Sequence, residues 1–195
     1  MDSLIRFDAE IFRLINMRLA SGYLDIVMPY VTEKFNFLGA IIVAALLIMI
    51  LGNKRDRIGL VVLVALVLLS DLASNLLKQV FLRVRPCNAL DGVRLLVGCS
   101  GSYSLPSGHA TNIFAAMVFL TLRYKRFFLL FLAIAVTVSY SRVYVGVHYP
   151  FDVFSGAILG SLMAYAFTFA EKRFFKDKLK KALENPEDDR GSFEA

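Results

Sequence analysis

Five long apolar runs dominate the chain and constrain its fold more than any other feature. They cover about residues 35–51, 58–82, 106–122, 127–145 and 150–170. Each approaches the roughly 20 residues that a helix needs to cross a bilayer core. A soluble domain scatters its apolar residues in short periodic stripes. Here 57% of residues are hydrophobic, the mean hydropathy is +0.62, and the apolar residues are gathered into runs, which puts the chain in the membrane class. The expected fold class is an all-α membrane protein, a helical bundle of about five transmembrane spans.

The first 35 residues read differently. Leu4, Ile5, Ile11, Phe12, Ile15 and Leu19 recur near helical spacing with charges between them, as in an amphipathic helix lying in the membrane interface. Ser21-Gly22 breaks that helix, and residues 23–35 are too short and too charged to span. Asp2, Arg6, Asp8, Glu10, Arg13 and Arg18 interrupt the apolar residues, so no cleavable signal peptide is visible. Three regions follow: an interfacial segment (1–35), a transmembrane domain (36–170) and a tail (171–195). The tail opens with a basic amphipathic helix over 171–183, carrying Lys172, Arg173, Lys176, Lys178, Lys180 and Lys181. It closes in an acidic, polar dozen residues expected to be disordered.

The formal net charge of +6 fits loops beside anionic lipid rather than nucleic-acid binding. Five spans put Lys54, Arg55 and Arg57, Arg123, Lys125 and Arg126, and the basic tail on one side. By the positive-inside rule that side is cytoplasmic. Segments 83–105 and 145–150 then meet at the outer face. Cys87 and Cys99 both lie in segment 83–105, where they form a disulfide if the compartment is oxidising and are spare thiols if it is not. Gly156 and Gly160 form a G-x-x-x-G on the last span and, with Ser155, Ser161 and Ala164, a small-residue face suited to close helix packing.

Ionisable groups at membrane depth are costly, so they are candidates for function. Lys78 and Arg85 are seven residues apart and share a helix face; Pro86 then biases Arg85 toward extended backbone. This pair suits a phosphate, although snorkelling side chains would look the same. Pro106-Ser107-Gly108-His109 opens an apolar run. Ser107 (or Ser104) can cap a helix there, Gly108 permits close backbone approach, and the helix start offers free N–H groups to an anion. Arg142 supplies a planar fork for phosphate oxygens. His148 and Asp152, four apart, can pair so that one imidazole nitrogen keeps an outward lone pair. Two histidines and one carboxylate amid three cations suit a metal poorly, so no metal or cofactor is expected. A Ser–His–Asp hydrolase using Ser107 remains conceivable, but so many cations suit a phosphate better than an acyl oxyanion.

Together, Lys78-x6-Arg85-Pro86, Pro106-Ser107-Gly108-His109 and Ser141-Arg142-x5-His148-x3-Asp152 resemble the three-part signature of the type-2 phosphatidic acid phosphatases. That superfamily also includes bacterial acid phosphatases and vanadium haloperoxidases. The resemblance covers residues 78–152 in order and spacing. It implies that His148 attacks phosphorus, Asp152 orients it, and His109 protonates the leaving oxygen. Lys78, Arg85, Arg142, Ser107 and the Gly108 amide would hold the phosphate oxygens. Members often have six spans, one more than counted here. Outside the signature, Asp71 and Asn75 precede Lys78 at helical spacing; Asp71 is expected to face the bundle interior and support Lys78. The implied protein is a bacterial cytoplasmic-membrane lipid phosphatase with its site at the outer face. A polyprenyl (undecaprenyl) diphosphate is the first-choice substrate, and phosphatidylglycerophosphate, phosphatidate and lipid A are alternatives. A non-catalytic lipid-phosphate binding or transport protein is the reading from a different class.

Overall fold

The computed structural model describes residues 2–184, with side chains described over 3–174. The expected acidic tail therefore lies almost entirely outside the described residues, as do the side chains of Lys176, Lys178, Lys180 and Lys181. All regular structure among the described residues is helical. Helix α1 (Asp2–Arg13) runs on through a π turn at Leu14–Arg18, and α2 (Gly22–Thr32) follows, capped by Ser21 Oγ, which accepts from Leu24 N at 3.3 Å. A 3-10 turn at Lys34–Phe37 leads into α3 (Leu38–Leu51). The remaining elements are α4 (Lys54–Phe81), the single turn α5 (Pro86–Ala89), α6 (Gly108–Arg123), α7 (Phe128–Tyr144) and α8 (Pro150–Glu184).

Among the described residues, four helical stretches are long and apolar enough to cross a membrane: Lys34–Leu51, Lys54–Ala89, Lys125–Tyr144 and Pro150–Phe174. The fifth member of the bundle, α6, has 16 residues, about 24 Å at 1.5 Å per residue. It packs against α4, α7 and α8 at the centre. Leu66, Ala115, Phe119 and Ala164 form the core between these helices. The periphery is apolar as well. No residue of α3 is buried, and Leu68, Leu72, Leu76 and Leu129 are exposed, as expected where lipid rather than water is the solvent.

Two boundaries differ from expectation. Asn53 Oδ1 accepts from Asp56 N at 3.0 Å, so α4 starts a turn before its apolar run, with its charged residues already helical. The basic segment 171–183 is not a separate helix, because nothing breaks the backbone after the last span and α8 continues to Glu184. In α1, Asp8, Phe12 and Asn16 face the protein while Leu4, Ile5 and Leu19 are exposed. Its protein-facing stripe is therefore partly polar and its outward stripe apolar.

The small-residue face of α8 sets the approach of α6. A Cβ on Gly156 would lie 2.6 Å from Ser107 O, and one on Gly160 would collide with Thr111 O. Gly39, in α3, has nothing within 4 Å of the same position. Overpacking a close contact costs about 1–3 kcal/mol. Gly160→Leu is therefore expected to lower the melting temperature in detergent clearly, while Gly39→Leu leaves it nearly unchanged. Equal melting temperatures for the two variants would contradict this packing.

Candidate active site

Helix α4 reaches past the start of α6. Arg123, at the end of α6, bonds Arg55 O near the start of α4, whereas Gly108, at the other end, lies beside Ser74 and Lys78. The last turn of α4 thus projects past the start of α6, and the step between the two helix ends forms the recess of the site. Leu82, at φ 50°, ends α4, and its N–H returns to Lys78 O at 3.0 Å. The chain then extends, and Arg85 turns back over the recess.

Arg85 is 4% exposed and held by several acceptors. Its Nε donates to Ser102 O at 2.7 Å, its Nη1 to Val147 O at 3.1 Å and its Nη2 to Ser102 Oγ at 2.9 Å. Nη1 also lies 3.1 Å from His148 Nε2. A disulfide between Cys87 and Cys99 closes the segment that presents Ser102. The bridge that the sequence left open is thus present in the structure.

His148 is fully buried in the loop between α7 and α8. Its Nδ1 lies 3.4 Å from Asp152 Oδ2, so the tautomer with Nδ1–H leaves the Nε2 lone pair facing Arg85. Burial holds the imidazole down at about 4, against the bond to Asp152, which raises it. Asp152 is anchored elsewhere too. Oδ2 accepts from Tyr149 N at 2.8 Å and makes a short bond with Ser104 Oγ.

Ser107 is buried and caps α6, and its own N–H donates to Asp152 O at 2.9 Å. A Cβ on Gly108 would lie 3.3 Å from Ser74 Oγ and 3.5 Å from Lys78 Nζ, so the missing side chain leaves space in front of the ammonium. His109 is half-buried, within electrostatic reach of Arg142, His148, Lys34 and Lys78. Arg142 donates from Nη1 to Thr32 Oγ1 at 2.6 Å, and its buried Nε has no hydrogen-bond partner. The structure therefore gathers Lys78, Arg85, Ser107, Gly108, His109, Arg142, His148 and Asp152 at one end of the bundle.

Asp71 departs from expectation. It is exposed, because the buried stripe of α4 runs Leu66, Ser70, Ser74, Lys78 at four-residue spacing. Asp71 stands one residue off that stripe, about 100° around the helix. Its carboxylate accepts from Asn75 Nδ2 and from Asn112 Nδ2 of α6, both at 3.0 Å, and Asn75 Oδ1 lies 3.4 Å from Lys78 Nζ. It touches Lys78 through Asn75, at the seam between α4 and α6.

Two neighbours escaped the sequence reading. Arg83 donates to Asp152 Oδ1 at 2.7 Å and to Asp8 Oδ2 at 2.6 Å, and it stacks 4.1 Å from the Tyr149 ring centroid. Asp8, fully buried in α1, also accepts from Phe151 N at 2.9 Å. Burial raises the Asp8 carboxyl above its usual range, with the Arg83 bond opposing. The available signals were Arg83 two residues before Arg85 in extended chain, and Asp8 one helical turn before Phe12.

A helical membrane bundle with three cations, two histidines and a carboxylate gathered at one end has the makings of a membrane phosphatase, and known proteins point the same way. Residues 58–175, more than half of the chain, match the PAP2 superfamily, and the chain belongs to that family. The family includes phosphatases that hydrolyse lipid phosphates, and this chain is a multi-span lipid phosphatase. An undecaprenyl-diphosphatase of Sulfolobus acidocaldarius is 36% identical over 162 residues, covering 83% of this chain and 77% of that protein. A lipid A 4'-phosphatase of Bacteroides thetaiotaomicron is 32% identical over 65% of this chain and 61% of its own. The crystal structure of Aquifex aeolicus LpxE superposes with a TM-score of 0.66 at 26% identity, over 82% of this chain and 93% of that one.

Removing one partner of a buried ion pair strands the other, at a cost of about 3–5 kcal/mol. Arg83→Met is therefore expected to destabilise the protein by about 3 kcal/mol. Combining it with Asp8→Asn should recover part of that loss, with a coupling of about 1–3 kcal/mol in thermal unfolding. Strict additivity of the two substitutions would show that the contact carries no energy.

Proposed function

We propose that this protein hydrolyses the diphosphate of a polyprenyl lipid through a phosphohistidine on His148, at the outer face of a bacterial cytoplasmic membrane. One observation chiefly supports the chemistry: His148 presents Nε2 to the Arg85 guanidinium at 3.1 Å while Nδ1 faces Asp152. A phosphoryl group entering there meets a lone pair on one side and cations around it.

In the first step Nε2 attacks phosphorus and forms an N–P bond. The bond to the leaving oxygen breaks, and His109 supplies the proton that oxygen takes. Asp152 stabilises the cationic ring. In the second step His109 accepts a proton from water, which attacks the phosphohistidine. The products are orthophosphate and free His148. Lys78, Arg85 and Arg142 balance the charge on the three equatorial oxygens, and the buried, unpartnered Nε of Arg142 gains an acceptor. The roles need positioned donors rather than a metal, so turnover is expected in EDTA. The polyprenyl assignment draws support from the relative 36% identical over most of this chain, an undecaprenyl-diphosphatase. Sidedness draws on the basic loops at the opposite end and on the Cys87–Cys99 bridge, which suits an oxidising compartment.

A substrate panel tests both parts: a polyprenyl diphosphate, phosphatidylglycerophosphate, phosphatidate and lipid A, each with wild type and His148→Ala. Phosphate release is expected to be fastest with the polyprenyl diphosphate. His148→Ala should lower it at least about 10³-fold, equivalent to about 4 kcal/mol of barrier. A different preferred lipid overturns the substrate, and an active His148→Ala overturns the nucleophile.

The pH dependence follows from His148. Attack requires the neutral ring, and with the imidazole at about 4, against an ordinary 6.5, the neutral form persists into acid. As pH falls through about 4 the ring gains its proton and loses the attacking lone pair. Single-turnover phosphoenzyme formation from p-nitrophenyl phosphate, whose leaving group needs no acid, should keep its rate down to about pH 5. An acid limb centred near 6.5 would contradict the buried, neutral nucleophile.

A further inference from the structure

At the end of the bundle remote from His109, helices α4, α6 and α8 line an open cavity of about 510 Å³. Arg123, fifteen residues or about 22 Å along α6 from Gly108, lines it. Its side chain is 8% exposed and pairs through Nη1 with Glu171, itself 10% exposed, at 2.9 Å. The Nε of Arg123 is buried and has no hydrogen-bond partner. Lys54, Arg55 and Lys172 complete the polar wall, and none of the three has an ion-pair partner among the described residues. Four cations thus face one carboxylate. Ile58 and Leu122, both partly exposed, give the cavity an apolar wall, with the buried Phe119 behind them.

A surface cluster of lysines alone would be ordinary for a membrane protein. Here a nine-tenths buried arginine anchors the cavity, packed against Gly59 and held by Glu171 and Arg55 O, while Lys54, Arg55 and Lys172 leave the wall with excess positive charge. The excess positive charge calls for an anion, and the apolar wall calls for hydrocarbon beside it. We infer that this cavity binds the phosphate headgroup of an anionic phospholipid, with acyl chains lying along Ile58 and Leu122. The site is separate from the catalytic recess and independent of which lipid is hydrolysed.

The test is native mass spectrometry of the full chain in detergent, titrated with phosphatidylglycerol, phosphatidylethanolamine or inorganic phosphate. Wild type is expected to retain one phosphatidylglycerol at concentrations where phosphatidylethanolamine is lost. Lys54→Gln/Lys172→Gln changes two exposed side chains and should fold normally, yet it should weaken that retention about tenfold. Lys78→Gln, at the opposite end, should leave it intact. Equal retention by the double variant, loss in Lys78→Gln, or equal retention of both phospholipids would overturn the assignment. Displacement of the lipid by inorganic phosphate would assign the cavity to a free anion instead.

Discussion

The buried carboxylate of Asp152 is the contact on which the rest of the catalytic end depends. A carboxylate with no exposed surface is costly unless its oxygens are hydrogen-bonded, and here both are. Oδ1 takes Arg83, and Oδ2 takes Tyr149 N and Ser104 Oγ with His148 Nδ1 close by. Its main-chain oxygen takes Ser107 N. One residue therefore fixes the start of α8, the start of α6, the extended segment after α4 and the loop carrying His148. Through Arg83 it also fixes α1, by way of Asp8. The imidazole is oriented by a group that is itself immobilised from four directions, which is what a positioned nucleophile requires.

That arrangement rests on how closely α6 and α8 approach. Gly156 and Gly160 let the main chain of α6 at Ser107 and Thr111 sit against α8. The first turn of α6 is thereby brought within hydrogen-bonding distance of Asp152. On the other side of α6, Ser70 and Ser74 keep the buried stripe of α4 small until Lys78. Short side chains thus bring three helices together just below the recess, and the long cationic ones open above it. Packing at membrane depth and chemistry at the membrane surface are consecutive parts of the same helices.

Much of this could be read in the chain. The five apolar runs are contiguous, so the five bundle helices and their order could be read from the sequence to about a turn, except at the end of α8, although only four stretches are long and apolar enough to cross a membrane among the described residues. That these residues come together was legible because they fall in three short segments with fixed internal spacing. Arg83 and Asp8 were not, because their contact joins residues 75 positions apart. Asp8 looked like one of several charges interrupting an amphipathic helix. Asp71 shows a different failure. A polar residue in a span is expected to point inward, but facing is decided by which stripe is narrow enough to pack. The serine-bearing stripe won. Asp71 instead pairs with Asn75 and Asn112 along the seam, where polar partners satisfy it without burial.

Electrostatics explains why the recess suits a phosphoryl group better than an acyl oxyanion. Lys78, Arg85 and Arg142 act on one another as like charges; Asp71 faces Lys78 and Glu33 faces Arg142 from outside the cluster, and Asp152 is the buried carboxylate among them. Its oxygens are already committed to Arg83, Ser104 and Tyr149, so it cannot neutralise all three cations. The protein supplies part of the remaining acceptors from main-chain oxygens such as Ser102 O and Val147 O, which orient Arg85 without cancelling its charge. Arg142 retains a buried donor with no acceptor. In a low-dielectric setting such an excess is strongly felt and strongly relieved by an anion. A tetrahedral acyl intermediate offers one charged oxygen, fewer than the cations waiting. A phosphoryl group in flight offers three equatorial oxygens sharing its charge, and matches them in number.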